Sequence, residues 1–279
     1  MLKTLLLPFL ACLALGAAPA RPSPPKGTLV IVGGHGTTPD IMDAFLQGAG
    51  GKGGAIGIIP TATEDPEGEL KDWEETLAKA GITLVPLDVR KREESSLPAM
   101  LEAAGRCTGF WFSGGDQARV GDKIVGTPLQ RVILDKYRAG AVVGGTSAGA
   151  AIMSKIMLTG DDLNGKTELR EMGPNCYVTR EGMGFLPENI IIDQHFIKRG
   201  RENRLLSIAM TFPDHLGIGV DETTALIVRN GQATVAGANG VLVFDPAGMK
   251  LKDGGFTGLR IHFLKKGKVI DLATRKIRP

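Results

Sequence analysis

Gly145-Thr146-Ser147-Ala148-Gly149 sets one serine in a Gly-x-Ser-x-Gly frame, directly after the apolar run Ala141-Val142-Val143. Such a frame describes a strand, a sharp turn and the start of a small-residue helix. Larger flanking side chains would collide with strand and helix, so the turn thrusts Ser147 outward at a helix N-terminus. There its Oγ is exposed, the helix dipole favours a developing oxyanion, and the Ala148 N–H is free to bond it. With only seven serines in the chain, one inside this frame is less expected by chance. The same glycine pattern also forms phosphate-cradling or purely structural turns, so a nucleophile needs a base beside it.

Four histidines are available. His35 follows Gly33-Gly34, His215 lies between Asp214 and Leu216, and His262 sits in a β-like run near the end. His195 comes directly after Ile190-Ile191-Ile192-Asp193-Gln194, at the carboxyl end of a buried strand. Open parallel sheets hold their ligand crevice along that edge, where Ser147 should also emerge. His195 is therefore the expected base. A carboxylate must then fix the imidazole tautomer and stabilise its cation. Asp221-Glu222 ends a further strand, and the residues alone leave the choice between them open. Phe112-Ser113-Gly114-Gly115-Asp116-Gln117 ends another strand with two glycines, which can bring a second oxyanion donor close to a substrate. Beyond His195 stand Lys198, Arg199, Arg201 and Arg204, the last two on one helix face, and forked guanidiniums suit substrate carboxylates.

The elements that must position these groups follow from hydrophobic periodicity. Residues 28–32, 55–59, 83–87, 109–112 and 141–143 read as strands buried on both faces, and residues 39–46, 66–80 and 127–139 as amphipathic helices. Strand and helix in turn imply an α/β fold, a mostly parallel three-layer sheet with helices on both faces. After Ser147 come a polar stretch over 160–181, a strand at 190–193 and a helix at 200–212. Runs at 217–220, 225–228, 233–236, 241–244 and 268–272 fit antiparallel strands extending the sheet. No linker divides them, so residues 27–279 are expected to form a single domain.

Composition narrows the function. Among 279 residues, 43% are hydrophobic and 23% charged, with a net charge of +3. This balance is that of a globular protein, and the absence of a long basic run argues against nucleic acid as a partner. Lys3, an apolar stretch over 5–18 and Ala18-Pro19-Ala20 read as a signal peptide spanning residues 1–20, followed by a proline-rich linker over 21–26. The expected location is secreted or periplasmic, with no stable membrane insertion once the leader is cut. Cys107 and Cys176 permit one disulfide without demanding it, with two buried thiols slightly favoured. Neither they nor the histidines show metal-site spacing, so no metal or other cofactor is expected.

Taken together, Gly145-Thr146-Ser147-Ala148-Gly149-Ala150, Gly114-Gly115-Asp116-Gln117, Asp193-Gln194-His195-Phe196 with its trailing arginines, and Gly219-Val220-Asp221-Glu222-Thr223-Thr224-Ala225 resemble the cyanophycinases. These are serine exopeptidases related to peptidase E, of the glutamine-amidotransferase-like (flavodoxin-like) fold. The resemblance implies Ser147 as nucleophile, His195 as base and Glu222 as third member, and the N–H groups near Ala148 and Gly115 are then expected to hold the oxyanion. It implies that Gln117, Asp193, Arg199, Arg201 and Arg204 line the substrate pocket. The implied substrate is cyanophycin, a poly-aspartate carrying arginine on each β-carboxyl, released as β-Asp-Arg dipeptides. Two features depart from the family pattern: the leader, and a longer polar stretch from Met172 to Glu181. The sequence leaves a homodimer open. Competing readings are an α/β-hydrolase-type esterase using Ser147, Asp221 and His262, and a catalytically silent carboxylate-binding protein.

Overall fold

β-branched and aromatic residues favour pleated, packed surfaces, and the short apolar runs become β1 (Thr28–Val32), β2 (Ala55–Ile59), β3 (Thr83–Pro86), β4 (Gly109–Phe112) and β5 (Val142–Thr146). The computed structural model describes residues 24–162, 172–253 and 255–279. The proposed leader, and the linker up to residue 23, lie outside the described residues, as do residues 163–171 of the polar stretch. Between the strands run α1 (Pro39–Gly48), α2 (Pro66–Ala80), α3 (Pro98–Arg106), α4 (Gln117–Lys123) and α5 (Pro128–Ala139). Proline opens four of them at a position whose N–H would have no helical partner. Asp65 and Thr127 cap α2 and α5 by accepting the N–H groups of Gly68 and Gln130. Periodicity did not reveal α3 or α4, which are nine and seven residues long, too short to establish a helical repeat.

The later chain forms α6 (Ala148–Ala151), β6 (Ile156–Asp162), β7 (Tyr177–Glu181), β8 (Ile190–Gln194) and α7 (Glu202–Thr211). It continues through β9 (Leu216–Val220), β10 (Thr224–Arg229), β11 (Gln232–Gly237) and β12 (Gly240–Asp245). Short strands close it: β13 (Lys250–Lys252), β14 (Gly255–Thr257), β15 (Arg260–Lys265), β16 (Val269–Asp271) and β17 (Ile277–Arg278). The main sheet runs β17-β16-β11-β10-β1-β5-β4-β2-β3. From β1 to β3 it is parallel, and β10, β11, β16 and β17 add antiparallel neighbours.

One expectation needs correction. The runs at 217–220 and 241–244 do not extend this sheet but form a second one, ordered β15-β12-β9-β8. Both edges of β1 are already paired, with β5 and β10, and the outer edge of β11 is taken by β16. The backbone groups of β8 and β9 must bond somewhere, and they pair with each other in parallel, Ile190 opposite Leu216 through Gln194 opposite Val220. A continuous apolar cluster joins the two sheets, with Leu29, Ile31 and Val143 from one and Ile190, Ile192, Val220 and Val241 from the other. On the opposite face of the main sheet, Phe45, Trp73 and Trp111 pack edge to face or tilted with centroids 4.8–5.9 Å apart. This double anchorage brings the carboxyl ends of β1, β4, β5, β8 and β9 together.

Candidate active site

Ser147 sits between β5 and α6 with φ 53° and ψ −110°, a region that costs a non-glycine residue about 1–3 kcal/mol. Its neighbours hold it there. Its N–H donates to the Val32 carbonyl at 3.0 Å, and its own carbonyl accepts from Ala150 and Ala151. Both flanking glycines are required: a Cβ on Gly145 would lie 2.4 Å from the Gly149 carbonyl oxygen. A Cβ on Gly149 would in turn meet the Phe112 carbonyl at 2.2 Å. Helix α6 has only four residues, so discrete N–H groups rather than a long dipole must meet negative charge here.

The residue after β8 is His195, also in the left-handed region at φ 47°. Its N–H donates to the Gly33 carbonyl at 2.7 Å, tying the end of β8 to the turn after β1. Its Nε2 lies 2.9 Å from Ser147 Oγ and its Nδ1 2.7 Å from Glu222 Oε1. An ionised carboxylate can only accept, so Nδ1 carries the proton and Nε2 is left to accept the serine O–H. Burial holds the His195 pKa below its ordinary value against the opposing pull of Glu222, and the nearby charges of Arg199 and Arg201 add to the lowering. The hydrogen bond from His195 keeps the Glu222 pKa low. A neutral imidazole beside an ionised acid is the protonation state of a general base.

Glu222 is placed by its backbone: its carbonyl accepts from Thr224 Oγ1 at 3.1 Å and from the Asn239 side-chain amide at 2.9 Å. Asp221, the other carboxylate left open by the sequence, instead accepts the Lys198 N–H at 2.8 Å and caps the segment after His195. His262 lies on β15 opposite Val243, at the outer edge of the second sheet. The Asp221–His262 alternative therefore lacks the geometry it needs.

Gly114 borders Ser147, its ideal Cβ position lying 3.6 Å from Ser147 Cβ, while Gly115, at φ 128°, packs on the Ala62 carbonyl. Among the described residues the N–H groups of Gly114, Gly115 and Ala148 have no acceptor. The residues expected to line the pocket are less uniform. Arg199 is half exposed, with Nε 3.9 Å from Glu222. Arg201 donates to the Gln194 carbonyl at 2.7 Å, and burial lowers its pKa to about 10. Arg204 and Asp193 are each 1% exposed and face each other at 3.0 Å, so Asp193 is already neutralised internally. Gln117 is buried and donates to the carbonyls of Leu158 and Thr159.

The model of peptidase family S51 matches residues 29–236. The chain belongs to peptidase family S51. This S51 peptidase is 34% identical to a cyanophycinase of Nostoc sp. (strain PCC 7120 / SAG 25.82 / UTEX 2576), over 92% of this chain and 90% of that one. A cyanophycinase of Synechococcus elongatus is 31% identical, over 91% and 81% of the two chains. A peptidase from an acI-B1 Actinobacterium has the same fold, with a TM-score of 0.67 at 23% identity over 88% of this chain and 96% of that one. Membership makes the chain a serine-type peptidase, which sets aside the esterase and the silent binding protein.

Two contributors to the site of this S51 peptidase escaped the sequence reading. A Cβ on Gly34, at φ 122°, would strike the His195 ring at 2.2 Å, and one on Gly33 would strike the Asp221 carbonyl at 2.1 Å. The Gly33-Gly34 pair after β1 was the signal, but its meaning depends on which residue lies across the gap. Gln194 is the second: its Oε1 stands 3.4 Å from Ser147 Oγ, beyond the reach of a competitive O–H···O bond. Cys107 is a buried free thiol, and burial pushes its pKa up to about 11. The stretch from Met172 onward enters β7, where buried Tyr177 accepts from the Asn203 amide at 2.8 Å.

Proposed function

We propose that this peptidase hydrolyses cyanophycin to β-Asp-Arg dipeptides through a Ser147–His195–Glu222 triad. The observation that carries the reading is His195 held between Ser147 Oγ at 2.9 Å and Glu222 at 2.7 Å. His195 Nε2 takes the Ser147 proton as Oγ attacks the scissile carbonyl, and Glu222 stabilises the resulting imidazolium. The oxyanion forms beside the uncommitted N–H groups of Ala148 and the Gly114-Gly115 turn. Collapse of the tetrahedral intermediate breaks the C–N bond, with His195 protonating the leaving amine. Water then attacks the acyl-enzyme as His195 takes its proton, and His195 returns that proton to Ser147 Oγ as the acyl C–O bond breaks. The partly exposed guanidiniums of Arg199 and Arg201 supply charge for the free carboxylates of the arginyl branches.

The likeness to cyanophycinases over nine-tenths of the chain supports the substrate. The leader of residues 1–20 supports export, placing the enzyme where polymer from other cells is met. Incubating wild type and Ser147→Ala with cyanophycin, and identifying products by mass spectrometry, tests the reaction. Dipeptide from wild type alone is expected; dipeptide from Ser147→Ala, or none from wild type, refutes it.

A further inference from the structure

A polar cleft of about 320 Å³ opens along the same sheet edge as Ser147, beyond the ends of β2 and β3. Its walls include Thr61 and Thr63 after β2, Asp88 and Arg90 after β3, and Arg119 and Lys123 on α4. It adjoins the site through a short relay of contacts. Gly114 lies against Ser147, Gly115 against the Ala62 carbonyl, and the Asp116 N–H donates to that carbonyl at 3.0 Å. The turn that borders the nucleophile thus forms the wall between site and cleft.

Two groups in the cleft are uncommitted. Thr61 is 4% exposed, and its Oγ1 has no hydrogen-bond partner, an arrangement that costs free energy unless something fills it. The arginines are already neutralised: Arg90 by Asp88 and Glu67, Arg119 by Glu64. Lys123 is different. Half-buried at the end of α4, it forms no ion pair with any described residue. A free ammonium and a free buried hydroxyl in one polar cleft are complementary to a carboxylate.

We propose that this cleft is a second binding site for the polymer, in which Lys123 and Thr61 take the carboxylate of an arginyl branch remote from the cleaved bond. The inference rests on the cyanophycin reading and deepens it. Strand β2 is two places from β5 in the sheet, so the cleft begins about 10 Å from Ser147 at about 4.8 Å per strand. At roughly 3.3–3.6 Å per extended residue, that is about three backbone units away. In a two-repeat substrate both branches flank the cleaved bond, whereas a long one carries remote branches that can lie in the cleft.

The experiment compares steady-state cleavage of a two-repeat substrate and of long cyanophycin fragments by wild type, Lys123→Met and Thr61→Val. Losing one charge-assisted hydrogen bond should raise KM for the long fragments about tenfold in Lys123→Met. The effect of Thr61→Val should be smaller, with kcat and all short-substrate parameters unchanged. An unchanged KM for long fragments in Lys123→Met overturns the proposal, as does equal impairment on both substrates. Titration of long fragments into folded wild type and Lys123→Met keeps the two readings separable. If wild type cleaves neither substrate, the catalytic reading fails, and the cleft then stands on weaker binding by Lys123→Met and falls on equal binding.

Discussion

Substituting Gly34 by alanine tests whether the turn after β1 sets the position of the His195 ring. The new methyl carbon would start 2.2 Å from His195 Cε1 and 2.5 Å from Nε2. Nonbonded carbons rest at about 3.5–4.0 Å, so the ring must withdraw by roughly 1.3 Å. The Nε2–Oγ separation of 2.9 Å cannot survive that shift as a hydrogen bond. Misplacement of a catalytic group by about 1 Å costs on the order of 10²-fold, and the loss should fall on kcat rather than KM. Backbone strain at φ 122° adds about 1–3 kcal/mol against folding, so the substitution alone would confound two causes. Gly36 separates them. It is in the same turn at φ 82°, and a Cβ there meets nothing within 4 Å. Gly36→Ala should lower thermal stability while keeping kcat within a few-fold of wild type. Cleavage of cyanophycin measured beside thermal unfolding for both variants decides the matter. Wild-type kcat in Gly34→Ala, or equal losses in the two variants, would refute the steric account.

Three further outcomes follow from the same structure. Because burial and the charge of Arg199 hold the His195 pKa below 6.5, kcat/KM should fall on acidification with a midpoint below that value, as the base becomes protonated. Arg199→Ala removes a repelling cation, so the midpoint should move to higher pH; an unmoved or lower midpoint would contradict the assignment. Phe45 is fully buried against Trp73 and Trp111, so Phe45→Ala should cost about 3–5 kcal/mol in urea unfolding. A loss below about 1 kcal/mol would mean that this cluster packs less tightly than its ring geometry implies.

Much of the fold and half of the site are legible in the sequence. The parallel strands through β5 and the helices α2 and α5 follow from periodicity, because runs such as Thr28–Val32 must bury both faces. The elbow was legible because Gly145 and Gly149 bracket a serine, and a local steric rule demands small residues there. The runs at 217–220 and 241–244 misled, since alternation shows that a strand exists but not which edge is vacant. Arg204 read as a guanidinium lining the substrate pocket, yet it is 1% exposed opposite Asp193. Periodicity gives a helix face but not the charge buried against it.

By itself the sequence determined the local conformations: where the chain turns sharply, where it must be buried, and which hydroxyl and imidazole stand at strand ends. Only the tertiary structure decided that Glu222 rather than Asp221 meets His195, that Gly34 leaves room for its ring, and that Lys123 lines a cleft without an ion-pair partner among the described residues. Those outcomes depend on distances between segments up to 188 residues apart, as Gly34 and Glu222 are. Local sterics fix φ and ψ one residue at a time. The separation of remote side chains is set by how two sheets share one core.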